Sequence, residues 1–413
     1  MPVSLRTAPE SLAWPVPSRT AHEGLPLGNA LFGALVWGEG HTLRLTINRA
    51  DYWDHRGGIS FGPEATYANL RRWLEAGDEA SLRRVFEGSA DQEPGEPRQP
   101  RRPTRLPMGR VDLALPLTAR LERAALRLGE GVADLSLAGP GPAAVRAVVP
   151  RGRPVLALRI DGLGAADVRP ASRPPDAEEV LAYWHDHSLP DPAVEDRVDR
   201  GGWFQALPAD PGLYVAWERV PAEGQAVEVY VAASYGKDLQ AARAAAEEEI
   251  SRAAEAGYVA LEEAEALWWR RYWAQTPAVR VPDATLQEAY DLGMTKLAGI
   301  ASPDAPPATL QGPWVEEHRM PPWSADYHFN INAQECYWPA YSGNQLSSLE
   351  PLFALLKSWE PILRENARLF LGIDDGLMLN HAVDDRATVI GGYWAGTVDH
   401  GSTAWVGQLM WQY

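Results

Sequence analysis

The chain has 413 residues, 46% hydrophobic and 23% charged, enough for two or three domains with sizeable buried cores. Its 38 Lys and Arg against 55 Asp and Glu leave a formal charge of −17, which argues against a phosphate backbone or an anionic bilayer as the main partner. A single cysteine, Cys336, excludes an intramolecular disulfide and any multi-cysteine metal site. Met1–Pro26 holds no apolar run long enough for a signal peptide and no later stretch could span a bilayer, so the sequence reads as cytoplasmic, with neither nucleic acid nor membrane as partner. There are 17 Trp and 14 Tyr against 7 Phe. Aromatic rings with a polar edge suit walls that face sugars, although they also fill ordinary cores.

Residues 1–236 read mainly as β-structure. Leu126 and Leu128 alternate with Arg127, Gly129-Glu130-Gly131 supplies a turn, and Leu135 and Leu137 alternate with Ser136, the pattern of a hairpin. Val145–Val148 and Val155–Ile160 flank Pro150-Arg151-Gly152-Arg153, and Trp203–Leu207 and Leu213–Trp217 flank Pro208–Gly212, two more hairpins. Val227, Val229 and Val231 continue the period of two. Short strands that alternate faces between Pro and Gly turns predict packed antiparallel sheets, a β-sandwich. Two stretches read as surface excursions: Gln92–Pro107, Pro-rich with Arg98, Arg101, Arg102 and Arg105, and Ala165–Gly202, with one amphipathic turn around Leu181 and Trp184. For the first, a solvated loop is the default and a polyanion contact the alternative.

Residues 237–280 read as a helical linker. Asp238–Trp273 has no proline, and Leu261, Ala264, Trp268 and Tyr272 recur at helical spacing, with the aromatic end expected to wedge between two domains. Residues 281–413 read as helical: Asp283 as N-cap of a helix with Leu286, Ala289, Tyr290, Gly293 and Leu297 on one face, a second helix from Ser347 or Ser348 to Gly372, and a third over Ser402–Tyr413. Few all-helical domains close with so few helices, and this one is expected to be incomplete.

No G-x-S-x-G, H-E-x-x-H, P-loop or C-x-x-C occurs. The informative stretch is Leu310–Pro339, LQGPWVEEHRMPPWSADYHFNINAQECYWP, which sets Trp314, Trp323, Tyr327, Tyr337 and Trp338 beside Asp326, His328, Asn330, Asn332, Gln334 and Glu335. Ring faces cover the C–H surface of a pyranose while amides and imidazoles pair with its hydroxyls, so the composition describes a polyol pocket. The alternation His328-x-Asn330-x-Asn332-x-Gln334 would put four uncharged polar groups on one side of an extended segment, and Asn330 and Asn332 are expected at the floor of a sugar-sized hollow. The alternative for either asparagine is a cap on the helix that starts near Ala333. Among acidic groups, Asp384 and Asp385 beside His381 can either bind sugar hydroxyls or pair with Arg386, and Glu335 is expected to rotate away with the helix. Cys336 reads as a buried apolar filler.

This stretch resembles glycoside hydrolase family 95, the inverting α-L-fucosidases and their L-galactosidase relatives, whose motif runs close to LQG-x-W and PPW-S-x-DYH-x-NIN-x-Q-x-x-YWP. Leu25-Pro26-Leu27-Gly28-Asn29 with Gly33 resembles the family's PLGNGRLGA opening. The resemblance implies an N-terminal β-sandwich, a helical linker and a catalytic (α/α)₆ barrel of which residues 281–413 form the first part, acting on an oligosaccharide or glycoside without cofactor or metal. It implies that Asn330 and Asn332 hold and polarise the attacking water and that His328 touches the sugar. Trp314, Trp323, Asp326, Gln334, His381 and Asp385 complete the expected substrate-binding set. An amide cannot keep a proton, so a carboxylate must act as eventual base, and inversion needs a carboxylic acid on the opposite face. The resemblance puts the acidic glutamate and an assisting aspartate beyond residue 413, and little activity is then expected of the 413-residue polypeptide alone. Gln334-Glu335-Cys336, Asn380–Asp385 and Asn48–Asp54 depart from the family pattern, which bears on the exact sugar more than on the class. The alternatives are a carbohydrate-binding remnant without the acid, a polysaccharide lyase, disfavoured by the absence of Lys and Arg between Asp326 and Tyr341, and a glycoside phosphorylase, which needs a basic phosphate pocket.

Overall fold

The computed structural model describes residues 11–87, 102–399 and 401–413. Most of its β-structure is two antiparallel sheets packed face to face, with two short two-stranded ribbons besides. The larger has nine strands in the spatial order Ser11–Trp14, Arg120–Arg127, Val132–Ala138, Ala143–Val148, Val155–Asp161, Ala226–Gly236, Gly212–Ala222, Arg200–Gln205 and Ala193–Asp196. The smaller has five, in the order Arg169–Arg173, Arg110–Ala114, Thr42–Arg49, Phe32–Glu39 and Leu25–Gly28. The three hairpins read from the period of two are present, pairing for example Leu126 with Ala133, Val145 with Ile160 and Trp203 with Val215.

Central strands of the large sheet are buried on both faces, and the alternation sorts their side chains between two cores. Leu156, Leu158 and Ile160 point into the sandwich with Val36, Leu45 and Val111. Val155 and Ala157 point the other way, onto Ala242, Ala246, Ile250 and Ala253 of the helix Leu239–Ala256. Small side chains along that helix let it lie close to the sheet, so the first half of the expected linker is a cover for the sandwich. Gly257, at φ +76, separates it from the helix Tyr258–Gln275. The aromatic end of that helix is packed between the two parts of the chain: Trp273 donates its indole N–H to the Leu128 carbonyl of the sandwich, and Tyr272 donates its hydroxyl to the Met294 carbonyl of the helical part.

The described parts of the two excursions carry more regular structure than composition suggests. Within Ala165–Gly202, Arg169–Arg173 and Ala193–Asp196 are edge strands of the two sheets, where Pro170 costs no central ladder bond, and Glu178–Asp186 is a helix that buries Trp184. Of the arginine-rich segment, Arg98 and Arg101 lie outside the described residues. Arg105 is not solvated: it is fully buried, donating to Asn48 Oδ1, Thr309 Oγ1 and the carbonyls of Arg49, Tyr52 and Gly312. A guanidinium brings enough donors to tie five partners at once, which an isolated sequence reading takes for a solvated charge.

The helical part begins with Ala284–Ile300, capped by Asp283, whose side chain accepts the Leu286 N–H. Its buried face is Asp291, Met294, Thr295, Leu297, Ala298 and Gly299, while Leu286 and Ala289 in the first turns face solvent. The expected second helix is three consecutive pieces, Glu350–Ser358, Glu360–Asn366 and a π-turn Ala367–Leu371, ended by Gly372 in the left-handed region. Gly401–Gln412 is the last helix. No described helix is long and apolar enough to cross a membrane.

Candidate active site

The segment Leu310–Pro339 is held against the sandwich edge by the other motif the sequence singled out. Gly28 and Gly33, on neighbouring strands, leave room for it: a Cβ on Gly33 would meet the Pro313 carbonyl at 2.2 Å, and one on Gly28 would meet the Trp314 ring at 3.1 Å. Trp314 donates its indole N–H to the Leu27 carbonyl, and Thr46 donates its hydroxyl to Glu317. Glu316 accepts from His22 and pairs with Arg319. Trp314, Glu316 and Glu317 are thus fixed to the sandwich, and Trp314 serves packing there in place of the expected sugar wall.

Beyond that anchor the chain makes an unusual turn. Trp323, Ser324 and Ala325 have φ of +54°, +59° and +48°, three consecutive non-glycine residues in the left-handed region. Each costs about 1 kcal/mol or more there, a strain met chiefly at functional sites. Burial of Ser324 and Ala325 and the Thr104–Ser324 hydroxyl contact hold the turn. Its result is an indole 62% exposed, edge-on to the His328 ring at 5.7 Å.

Tyr327–His328 then pairs with Ala382–Val383 as a two-stranded ribbon, which brings His328 and His381 together with ring centroids 4.8 Å apart. Asp326, 1% exposed, lies behind them and accepts from His328 Nδ1 at 2.8 Å. That leaves His328 Nε2 as the nitrogen not engaged by the carboxylate. Burial raises the Asp326 carboxyl to about 6, with the His328 hydrogen bond opposing it. Burial lowers the His381 imidazole, and the neighbouring His328 adds to the effect. Asp399 approaches His381 Nδ1 at 3.9 Å. The arrangement offers imidazole nitrogens, able to donate or accept, beside an exposed aromatic edge.

The rest of the expected row is not extended. The strand stops at His328, residues 329–331 turn, and Asn332 is the first residue of the helix Asn332–Ser342. Asn330 and Asn332 are both solvent-exposed, on an open surface and not at the floor of an enclosed hollow. Helical geometry turns Gln334 inward, where it is fully buried and donates to the Phe329 carbonyl, so it supports the turn and does not line the site. Glu335 is exposed. Cys336 packs against the core, burial pushing its thiol up to about 12.

Asp385 is tied to a sandwich loop. It accepts from His55 Nε2 at 2.7 Å, while His55 Nδ1 reaches Asp210 at 2.9 Å and Arg386 pairs with Asp210, not with Asp384 or Asp385. Burial alone would lower His55, but the hydrogen bonds to Asp210 and Asp385 outweigh it and raise the ring to about 9. His55 and Asp210 carried no signal in the sequence: they stand 155 residues apart, on sandwich loops without any motif.

Three comparisons bear on this geometry. Residues 283–413 match the Glycosyl hydrolase family 95 catalytic domain. Over 88 residues the chain is 34% identical to "Probable alpha-fucosidase A" of Aspergillus niger, and over 117 residues 31% identical to "Alpha-L-fucosidase 2" of Arabidopsis thaliana. The matched segments are 21% and 28% of this chain and only 11% and 13% of those relatives' length. A solved structure described as a kojibiose phosphorylase from the human microbiome superposes with a TM-score of 0.60 at 10% identity, covering 96% of this chain and 52% of that one. At that identity the likeness is one of fold, and it extends the sandwich, linker helices and first barrel helices to nearly the whole chain. The likeness to glycosyl hydrolase family 95 thus rests on residues 283–413, where the chain matches that family's catalytic domain.

Proposed function

We propose that this chain carries the sugar-binding side of a glycosidase that acts from the chain end on α-L-fucosyl or related residues with inversion. The exposed Trp323, held in a strained turn beside the His328–His381 pair, is the observation that carries the reading. An aromatic edge and two imidazoles recognise a pyranose by covering its C–H face and pairing its hydroxyls. In this reading Asp326 positions His328 from behind, and Asn330 and Asn332 orient the water that attacks the anomeric carbon. Their exposure is consistent with contact to solvent and sugar. Trp314, Gln334 and Asp385 are left out of the sugar contacts.

Binding is the assay, because it requires neither the acid nor the base. Calorimetric titration with L-fucose, D-galactose and L-arabinose is expected to favour L-fucose or a close stereochemical relative in the wild type, with at least tenfold weaker binding in His328→Ala and Asn330→Ala. Equal binding of every sugar by all three proteins would mean that the site lies elsewhere. Where aryl fucoside is hydrolysed, the first-formed product is expected to be the inverted anomer; retention would refute the water-positioning role of the asparagines.

A further inference from the structure

The mechanism above leaves unused the cluster in which a sandwich loop meets the ribbon turn after Val383. His55 follows Trp53–Asp54, its ring stacked at 5.9 Å on Trp53 and its backbone N–H donated to Asp210 Oδ2 at 3.1 Å. Asp384 and Asp385 follow Ala382–Val383 in a tight turn, where Asp384 Oδ1 accepts the N–H groups of Arg386 and Thr388 at 2.9 and 2.7 Å. The other Asp384 oxygen is different. Asp384 is 0% exposed, and its Oδ2 is buried without any hydrogen-bond partner. A carboxylate oxygen in that position costs the desolvation of a charge with nothing returned, unless a cation or a proton meets it.

One ligand atom each from His55, Asp384 and Asp385 lies within 4.8 Å of the other two. We propose that these three residues bind a divalent first-row transition cation, joining the sandwich to the helical part. One imidazole and two carboxylates form a mixed nitrogen–oxygen set suited to Zn²⁺ or Mn²⁺. Asp210 completes the design from outside. By accepting the Nδ1 proton it leaves Nε2 as the coordinating nitrogen, the carboxylate–histidine–metal arrangement that orients such ligands. On binding, the proton that Nε2 shares with Asp385 leaves to solvent and the ion takes its place between the two groups. Arg386 stays outside, on Asp210, with its side chain about half exposed. Asp385, 29% exposed, is the entrance for the ion.

The test is calorimetric titration of the EDTA-stripped 413-residue chain with ZnCl₂, with metal content measured after gel filtration. One Zn²⁺ per chain is expected, with a rise of a few degrees in unfolding temperature. Asp384→Asn and His55→Gln should each weaken binding at least tenfold, and Asp210→Asn about tenfold. Asp385→Asn alters the most exposed of the three ligands; its circular dichroism in EDTA should match the wild type while its Zn²⁺ affinity falls at least tenfold. Absence of stoichiometric binding, saturation by Ca²⁺ but not Zn²⁺, or unchanged affinity in folded Asp385→Asn would each overturn the assignment.

Discussion

Gly396 gives the sharpest handle on the imidazole pair. It sits in the short helix Trp394–Thr397 under the His381 ring, and a Cβ there would stand 1.9 Å from His381 Cε1, 2.7 Å from Nε2 and 2.8 Å from Nδ1. Ordinary contact begins at 3.4 Å, so 1.9 Å leaves the ring about 1.5 Å too close, and it must leave its place beside His328. Overpacking of this kind costs about 1–3 kcal/mol. The backbone of Gly396 is not in the left-handed region, so alanine itself is compatible there and, without the ring, should stabilise the helix by about 0.5–1 kcal/mol. A change of sign is therefore expected. Gly396→Ala destabilises the wild type but stabilises the His381→Ala background. Urea denaturation of the four proteins in the double-mutant cycle measures this, and sugar titration of Gly396→Ala should show the loss seen in His328→Ala. Additive free energies across the cycle would refute the packing argument.

Two further predictions concern pH. Because burial raises the Asp326 carboxyl to about 6 against an ordinary 3.8, the folded state holds that proton more tightly than the unfolded chain. Its contribution is therefore present at acid pH and lost as pH rises from about 4 through about 6, a loss of up to about 3 kcal/mol. Urea unfolding at pH 4.5 and 7.5 should show a larger fall for the wild type than for Asp326→Asn, and parallel profiles would contradict it. For His55 the raised value, about 9, gives stability that is full below 6.5 and lost as pH climbs through 9. In EDTA, the melting temperature of the wild type should drop over that window more than that of Asp210→Asn, which lacks one of the two carboxylates holding the ring charged.

Local grammar made part of this molecule legible. Hairpins announce themselves because a turn such as Gly129-Glu130-Gly131 sits between two alternating runs, and the Asp283 cap marks its helix at a fixed offset. Leu310–Pro339 reads as a polyol pocket because its aromatics and amides are contiguous. What it could not declare was geometry. A period of two assumed through Gln334 fails because the helix begins at Asn332, and a one-state change in backbone exchanges an exposed amide for a buried one. Trp314 reads as a sugar wall until Gly28 is seen beneath it. Long-range groupings leave no trace at all: the His55–Asp385 contact spans 330 residues, and the Arg105 network joins strands to the segment around Gly312. The Ala- and Glu-rich stretch read as a linker because nothing local says that Val155 and Ala157 need a cover.

The central claim is that the imidazole pair and the turn after it form the sugar-binding face. Its most direct test is a histidine ring NMR titration, with His328 and His381 assigned by substitution and L-fucose added to saturation. The account predicts saturable shifts of the His328 and His381 ring protons, with His22 and His55 unmoved. Saturable binding that leaves both rings unshifted, or shifts confined to His22 or His55, would contradict it.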